Sequence, residues 1–295
     1  MSDDSLLRRL PPIRRARDYR LYGENGKRYL DLWQAGGRAL LGHRSERVLT
    51  EFKNQVSRGL LADFPSIHER RLLKALGLLM PGFLEFRIYR SAASLFEALS
   101  SLGGQGIEVD GLPDPALVET DGMPLALWRP FLSEEAAEAA PRADTNEASR
   151  PPGPGAGLGD GLPLGKGPAI AVPVLPFPWT GGPVIAAFRD PPGERALPGD
   201  IVSPALLVAL TKTIHQLIRF RGQFTEHLWR SFDAPFWSRR GPYLIARGNR
   251  EEYARLFERL LANGILISPR YPGPSIAPAI FSEGEIKLLR TAGQG

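Results

Sequence analysis

The stretch RLYGENGKRYLDLWQAGGRALLGHR, residues 20–44, decides which fold the sequence predicts. Its Asn25-Gly26 pair can adopt the positive φ angles of a tight turn. Apolar residues on either side, at 21–22 and 29–32, suit two short strands. We therefore predict a β-hairpin here, and a glycine pair and a Gly-His pair follow it.

The composition is that of a globular protein with a sizeable core. The chain has 295 residues, of which 43% are hydrophobic, so it can form one large domain or two modest ones. No apolar run approaches the roughly 20 residues of a spanning helix, and no secretory signal is visible. The absence of cysteine excludes disulfides, thiolate metal sites and cysteine nucleophiles. We expect a soluble cytoplasmic protein without a metal site, because no ligand spacing joins its four histidines, His43, His68, His215 and His227.

The net charge of +5 is mild for this length, but arginines cluster locally. A basic segment can bind phosphate backbones, which would make the chain a binder of nucleic acid or of an anionic surface. No aromatic residues interleave with these arginines, so a solvated arm or a subunit contact is the preferred interpretation. The clusters are Arg8, Arg9, Arg14, Arg15 and Arg17 near the N-terminus, and Arg239 and Arg240 later.

Helical and strand patterns alternate at both ends of the chain, which indicates the α/β or α+β class. An aromatic run at 228–243 could form a binding surface, but core packing or a subunit contact is the preferred interpretation. Predicted strands occupy 84–91, two runs within 169–190, 243–248 and 265–271. Predicted helices begin after candidate caps or capping boxes at Ser45, Ser66, Ser91, Ser203 and Ser282, and at Arg250.

Residues 133–168 are rich in Ala, Pro, Gly and charge, and they contain few large apolar side chains. Such a segment cannot bury enough surface to offset its ordering entropy, so we predict a flexible linker. The remaining chain divides into four predicted parts: an N-terminal arm (1–19), a hairpin-and-helix region (20–82), a reduced central α/β domain (83–132 and 169–222) and a C-terminal small domain (223–295).

The opening stretch closely resembles the N-terminal hairpin of class III aminotransferases, which are pyridoxal-phosphate enzymes of the fold-type I group. The shared features are the hairpin, the spacing from Asp31 to Gly36 and the Gly42-His43 pair. The order of elements continues the resemblance over roughly the first 100 and last 120 residues. It implies an α/β fold, a truncated fold-type I framework with a small α+β domain built from both chain ends.

In that family a Ser-Gly-Ser turn at a helix N-terminus holds the cofactor phosphate through backbone amides and the helix dipole. The matching residues here are Arg90, Ser91 and Ala92. One hydroxyl and the helix start remain, whereas the glycine that permits close approach does not. The resemblance therefore implies only a remnant phosphate site.

The family also carries a lysine that binds the cofactor covalently, shortly before a Gly-Gly pair. If TGGPVIAAF occupies that place, the lysine position falls near Phe177. Lys166 and Lys212 are the nearest lysines, and each is displaced from this position. We therefore predict that no catalytic residue of the family is kept, with Lys166 and Lys212 as the weak candidates.

Two other functional elements of the family are missing. The family's substrate-binding arginine should fall near Ser275. No central strand carries the aspartate that would face the pyridine nitrogen. We therefore predict a shortened, degenerate relative that lacks covalent pyridoxal-phosphate catalysis and has a binding or scaffolding role.

Two alternatives remain open at this level. The chain could be an active aminotransferase that uses Lys166 or Lys212, with pyridoxal phosphate as cofactor, or an anionic-surface or nucleic-acid binder through its N-terminal arginines. From family dimerisation we expect a homodimer or pairing with an active homologue, without a membrane partner.

Overall fold

The computed structural model describes residues 4–100, 111–132, 167–179, 181–193 and 197–293. Most of the predicted linker, residues 133–166, lies outside them. The helices are α1 (Asp4–Leu7), α2 (Glu46–Ser57), α3 (Ile67–Leu79), α4 (Ala92–Ser100), α5 (Pro204–Phe220), α6 (Glu226–Arg230), α7 (Arg250–Ala262) and α8 (Glu283–Gly293). The strands are β1 (Ile13–Arg17), β2 (Arg20–Gly23), β3 (Arg28–Asp31), β4 (Glu85–Tyr89), β5 (Leu125–Trp128), β6 (Ile170–Pro173), β7 (Val184–Phe188), β8 (Trp237–Arg240), β9 (Tyr243–Ala246), β10 (Ile265–Leu266) and β11 (Ser275–Ile276). None of these helices is both long and apolar enough to cross a bilayer.

One sheet joins the two ends of the chain in the order β1-β2-β3-β10. Strands β2 and β3 form the predicted hairpin, and β10 pairs in parallel with β3 so that Ile265 lies opposite Leu30. Tyr29, Leu30 and Leu32 pack into one core with residues of α7 and β10. Burying each large apolar side chain contributes roughly 1.5–3 kcal/mol. The small domain built from both chain ends is therefore confirmed.

Strand β1 lies inside the segment that the sequence led us to describe as an arm. It forms the edge of the first sheet, and its Arg14, Arg15 and Arg17 are exposed. The sequence IRRAR is too polar to show a strand pattern, so β1 was not predicted. Charged side chains on an edge strand hinder its pairing with other chains, which gives these arginines a structural role.

The central sheet has the order β4-β7-β6-β5. Strand β6 runs parallel to β5 and antiparallel to β7. Helices α3 and α5 cover it, with Leu76 and Ile214 fully buried beside Ile185. Strand β5 was not predicted, and its sequence, LALW, carries no acidic residue.

The third sheet, β11-β9-β8, completes the C-terminal part. Its neighbouring aromatic residues Trp229, Phe232 and Trp237 are buried in the same core as the N-terminal hairpin. These residues of the aromatic run therefore pack as core, one of the three roles considered for it.

The predicted helix starts are present, but their capping side chains behave differently. The Ser66 hydroxyl accepts the N–H of His68 at 3.2 Å, and Ser282 forms a capping box with Glu285. Ser45 and Ser203 occupy the N-cap positions of α2 and α5 without a side-chain cap bond. The Ser45 hydroxyl instead donates to Gln216 Oε1 at 2.6 Å, so it joins two helices.

Candidate functional site

The carboxylate of Asp31 organises the loop that follows the N-terminal hairpin. It is fully buried, and its Oδ1 accepts the N–H groups of Trp33 and Gln34, each at 2.9 Å. Its Oδ2 lies 2.7 Å from Nε2 of His43. The Asp and Gly-His of the opening stretch therefore form a structural clasp.

This clasp holds a turn with four consecutive positive φ angles. Gln34 and Ala35 both have φ of +50°, followed by Gly36 at +71° and Gly37 at +107°. A Cβ at Gly37 would lie 3.1 Å from Val174 Cγ1 and 3.2 Å from an Arg129 nitrogen. Left-handed conformations of residues other than glycine are costly and cluster at functional sites. Here the strained turn presents its backbone to a cavity.

The cavity has a volume of about 860 Å³ and lies between the small domain and the central sheet. Its size falls in the usual range for small-molecule sites. Its walls include the turn with Trp33 and Gly36, the start of α4, the connection from β6 to β7 and a loop over 268–274, together with residues between 111 and 129.

Phe177, the residue at the predicted lysine position, lies on the cavity wall. Its ring stacks on Trp179 with a centroid distance of 6.4 Å and an interplanar angle of 10°. Trp179 in turn contacts Phe52 of α2 at 5.8 Å. Three aromatic rings in successive contact therefore connect the cavity wall with α2.

No lysine among the described residues lines this cavity; those lysines are Lys27, Lys53, Lys74, Lys212 and Lys287. Lys212 lies on another face of α5 and forms an ion pair with Glu51 at 3.2 Å. Lys166 lies outside the described residues. The next residue, Gly167, precedes β6, whereas the cavity is lined from Val172 onward at the other end of that strand.

The start of α4 reaches the cavity through Ser91 and Ala92. The Ser91 hydroxyl accepts the N–H of Ser94 at 3.2 Å. Gly182 packs so closely that a Cβ there would lie 2.0 Å from the Arg90 carbonyl oxygen. Glycine is therefore needed at position 182 for this close approach.

Arg90 is not among the cavity-lining residues, although the sequence grouped it with the remnant phosphate site. Its backbone N–H donates to Asp200 Oδ2 at 2.9 Å. Its guanidinium lies 3.7 Å from both Asp63 and Asp200, with the side chain 62% exposed. Those two carboxylates hold it at the surface.

Ser275, at the position predicted for the lost substrate arginine, is also absent from the cavity lining. It is buried, and its hydroxyl accepts the N–H of Ser268 at 2.9 Å. The Tyr253 hydroxyl donates to the Ser268 carbonyl, and burial raises the pKa of that phenol. The cation that this loop brings to the cavity is Arg270.

The wall of the central cavity contains a buried ion pair that no sequence pattern predicted. Arg129 donates from Nε and Nη2 to the two carboxylate oxygens of Asp114, each at 2.6 Å. Its Nη1 donates to the Gly36 carbonyl at 3.0 Å, and its guanidinium lies 5.2 Å from the Tyr243 ring centroid. Burial lowers the pKa of Arg129, but the contacts with Asp114 outweigh it, so the pKa is raised overall.

The described walls do not fit a covalently attached pyridoxal phosphate. They supply no lysine amine, and both oxygens of the Asp114 carboxylate are engaged by Arg129. Asp114 and Arg129 therefore stabilise the cavity wall. Arg38, Arg270 and the start of α4 give the cavity positive charge.

Solved structures that resemble this chain include aminotransferases. An omega-transaminase from Sphaerobacter thermophilus has a TM-score of 0.60 at 14% identity, covering 96% of this chain and 91% of that one. An N-acetylornithine aminotransferase from Stenotrophomonas maltophilia K279a has a TM-score of 0.57 at 14% identity, with 98% of each chain covered. The chain therefore has the fold of class III aminotransferases, in the shortened form that the sequence predicted.

Two sequence relatives extend over most of the chain. An uncharacterized protein from Borreliella burgdorferi is 25% identical over 97% of this chain and 91% of its own length. Another, from Treponema pallidum, is 27% identical over 93% of this chain and 91% of its own length. A glutamate-1-semialdehyde 2,1-aminomutase from Clostridium acetobutylicum is 36% identical over 64 residues, which are 22% of this chain and 15% of the aminomutase. No family model matches the sequence.

Proposed function

We propose that this protein is a binding protein derived from an aminotransferase, without covalent pyridoxal-phosphate catalysis. The observation that carries the proposal is the wall of the central cavity, where Phe177 stacks on Trp179 and none of the described lysines is present. A covalent imine needs a lysine amine beside the bound carbonyl compound. The local similarity to an aminomutase agrees with a shared origin of the fold.

The chemistry of the walls favours a small anionic molecule with an apolar or aromatic part. Arg38 and Arg270 supply positive charge, and the start of α4 supplies backbone N–H groups and a favourable dipole. Trp33 and Phe177 offer flat apolar surfaces for a ring or a chain. Such a ligand would bind reversibly, through ionic and stacking contacts.

Incubation with pyridoxal phosphate followed by borohydride tests this proposal. We expect no borohydride-sensitive absorbance band at about 420 nm in the wild-type protein, because no lysine amine among the described residues lines the cavity. The variant Phe177→Lys places an amine on the wall and should gain such a band. Mass spectrometry of the reduced protein then locates the adduct.

The matched control is Ile280→Lys, which adds a lysine at an exposed position outside the cavity lining. It should behave like the wild type. A reducible adduct on wild-type Lys166 or Lys212, lost in the corresponding alanine variant together with transaminase activity, would contradict the proposal. That result would establish the alternative of an active enzyme.

For partners, we propose a homodimer through the outer face of α2. Leu49 and Val56 are 40% and 37% exposed there, on the same side as Phe52, and Trp179 continues this apolar surface to the cavity. Removing such a surface from water is the main favourable term in association. Pairing with an active homologue would use the same face.

Analytical ultracentrifugation of the variant Leu49→Glu/Val56→Glu tests this interface. The wild type should sediment as a dimer and the double variant as a monomer, because two charges would be buried without partners. Leu84→Arg, at an equally apolar but distant exposed site, should remain dimeric. A monomeric wild type would exclude the homodimer and leave pairing with a homologue.

Binding through the N-terminal arginines is less well supported by the structure. Arg9 forms an ion pair with Glu258, Arg15 lies 4.3 Å from the Tyr22 ring centroid, and Arg17 lies 3.7 Å from Asp18. These contacts are all within the protein. They agree with the role of the arginines in hindering the pairing of edge strand β1 with other chains. The cytoplasmic location stays a prediction.

A further inference from the structure

A second cavity, of about 620 Å³, lies between α2, α3 and α5. Each helix contributes one face at a spacing of three and four residues, which places its members in one row. The central cavity is lined by Leu210 of α5, whereas this one is lined by Val208, Thr211 and Lys212. At 100° per residue, Val208 and Lys212 each lie about 160° around α5 from Leu210, whereas Thr211 lies about 100° from it. The full lining is Glu51, Asn54, Gln55, Arg58, His68, Arg71, Lys74, Ala75, Leu78, Val208, Thr211, Lys212 and His215.

Positive charge dominates this second cavity. Lys212 is paired with Glu51 at 3.2 Å. Arg58, Arg71 and Lys74 line the same space, and no carboxylate among the described residues forms an ion pair with any of them. Like charges gathered in one pocket repel each other, and an anion placed between them relieves that repulsion.

His68 adds hydrogen-bonding capacity rather than further charge. Burial lowers the pKa of its imidazole, and the charges of Arg71 and Arg58 lower it further. The ring is therefore neutral near pH 7, with one nitrogen as donor and the other as acceptor. A phosphate oxygen could accept from it in addition to the cations.

Gln55 provides an independent sign of a ligand. It lines the cavity, its residue is only 5% exposed, and its Oε1 has no hydrogen-bond partner. A buried amide oxygen without a partner is costly, so polar groups in native proteins rarely remain in that state. A hydroxyl or amino group of a bound molecule would satisfy it.

We propose that this second cavity binds a soluble phosphorylated small molecule that carries at least two negative charges and a hydroxyl donor. The cations contact its phosphate groups, and Gln55 accepts from its hydroxyl. The cavity is large enough for a nucleotide or a sugar phosphate. The proposal is independent of what the central cavity binds, because the two sites lie on different faces of α5.

Isothermal titration calorimetry of the full chain with inorganic pyrophosphate and with ADP tests this site. Both should bind at about 0.15 M salt, and the affinity should fall as more salt is added, because Arg58, Arg71 and Lys74 are exposed. In the variant Arg71→Gln/Lys74→Gln the affinity for both should fall by about tenfold or more, since two charge-assisted contacts are lost. Lys53→Gln removes an exposed cation of α2 that does not line the cavity, and it should bind as the wild type does.

A second variant, Gln55→Met, tests the recognition of the hydroxyl group separately from that of the phosphate groups. It keeps the length of the side chain and removes the amide. It should therefore lower the affinity for ADP and leave the affinity for pyrophosphate unchanged. Absence of binding by both probes, or an equal loss in Lys53→Gln, would overturn the proposal. The same holds if only a DNA oligonucleotide or an acidic peptide, titrated in parallel, binds at this salt concentration.

Discussion

Replacing Asp114 by asparagine is expected to lower the free energy of unfolding by about 3–5 kcal/mol. The change leaves the Arg129 guanidinium with its charge in a place where its side chain is only 6% exposed. Removing one member of a buried pair is more damaging than removing both, because the remaining charge then has neither solvent nor a counter-charge. Urea denaturation followed by circular dichroism measures the loss.

The second part of this test is a double-mutant cycle of Asp114→Leu, Arg129→Met and the two changes combined. Asp114→Leu/Arg129→Met removes both charges and should recover much of the stability, although the hydrogen bond to the Gly36 carbonyl is lost. Asp121→Asn, an exposed change in the same segment, should stay within about 0.5 kcal/mol of the wild type. Additive single effects would show that the pair is not coupled.

Replacing Glu285 by alanine is expected to cost about 3 kcal/mol at neutral pH. Glu285 accepts from Arg20 Nε at 2.8 Å and from Nη2 at 2.7 Å, which ties α8 to the N-terminal hairpin. It also accepts the N–H of Ser282 at 2.8 Å, as part of the capping box. The two side chains of this ion pair are only 7% and 15% exposed, so solvent screens the pair weakly.

The same residue predicts how stability depends on pH. Burial raises the pKa of Glu285, but the contacts with Arg20 and Ser282 outweigh it and bring the pKa below its ordinary value of 4.5. The stabilisation is therefore fully present above pH 4.5 and is lost as the pH falls through the lower pKa of the folded state. The stability gap between wild type and Glu285→Ala should shrink over that acidic range.

The exposed neighbour Glu283 provides the control for this prediction. Glu283→Ala also removes an acidic residue from the first turn of α8 but breaks no ion pair among the described residues. Its effect should stay below about 1 kcal/mol and show no comparable change with pH. A stability gap for Glu285→Ala that is constant from neutral to acidic pH would contradict the assigned ion pair.

Local patterns were sufficient for much of the fold. The Asn25-Gly26 turn, the capping box at Ser282 and the apolar runs of β6 and β7 depend on neighbouring residues, so they could be predicted. Strand β1 could not be predicted, because its polar sequence is held by pairing with β2. The same is true of β5, which depends on its pairing with β6.

The sites required contacts between distant parts of the chain. Arg129 meets Asp114 fifteen residues away and Gly36 ninety-three residues away, and no spacing rule joins them. The cations of the second cavity were visible only as ordinary charges on separate helices. From the sequence alone, Gln55 would be predicted to lie at the surface, whereas the structure buries it.

The sequence by itself determined the framework, because the hairpin, the caps and the Gly-Gly pair are local features, whereas the assignment of Phe177 to the position of a lost lysine stays a prediction. Only the tertiary structure decided what surrounds that position. It placed Arg90 and Ser275 away from the cavity and brought Arg129 to its wall. The physical reason is that burial, ion pairing and cavity shape arise from segments that meet only when the chain folds.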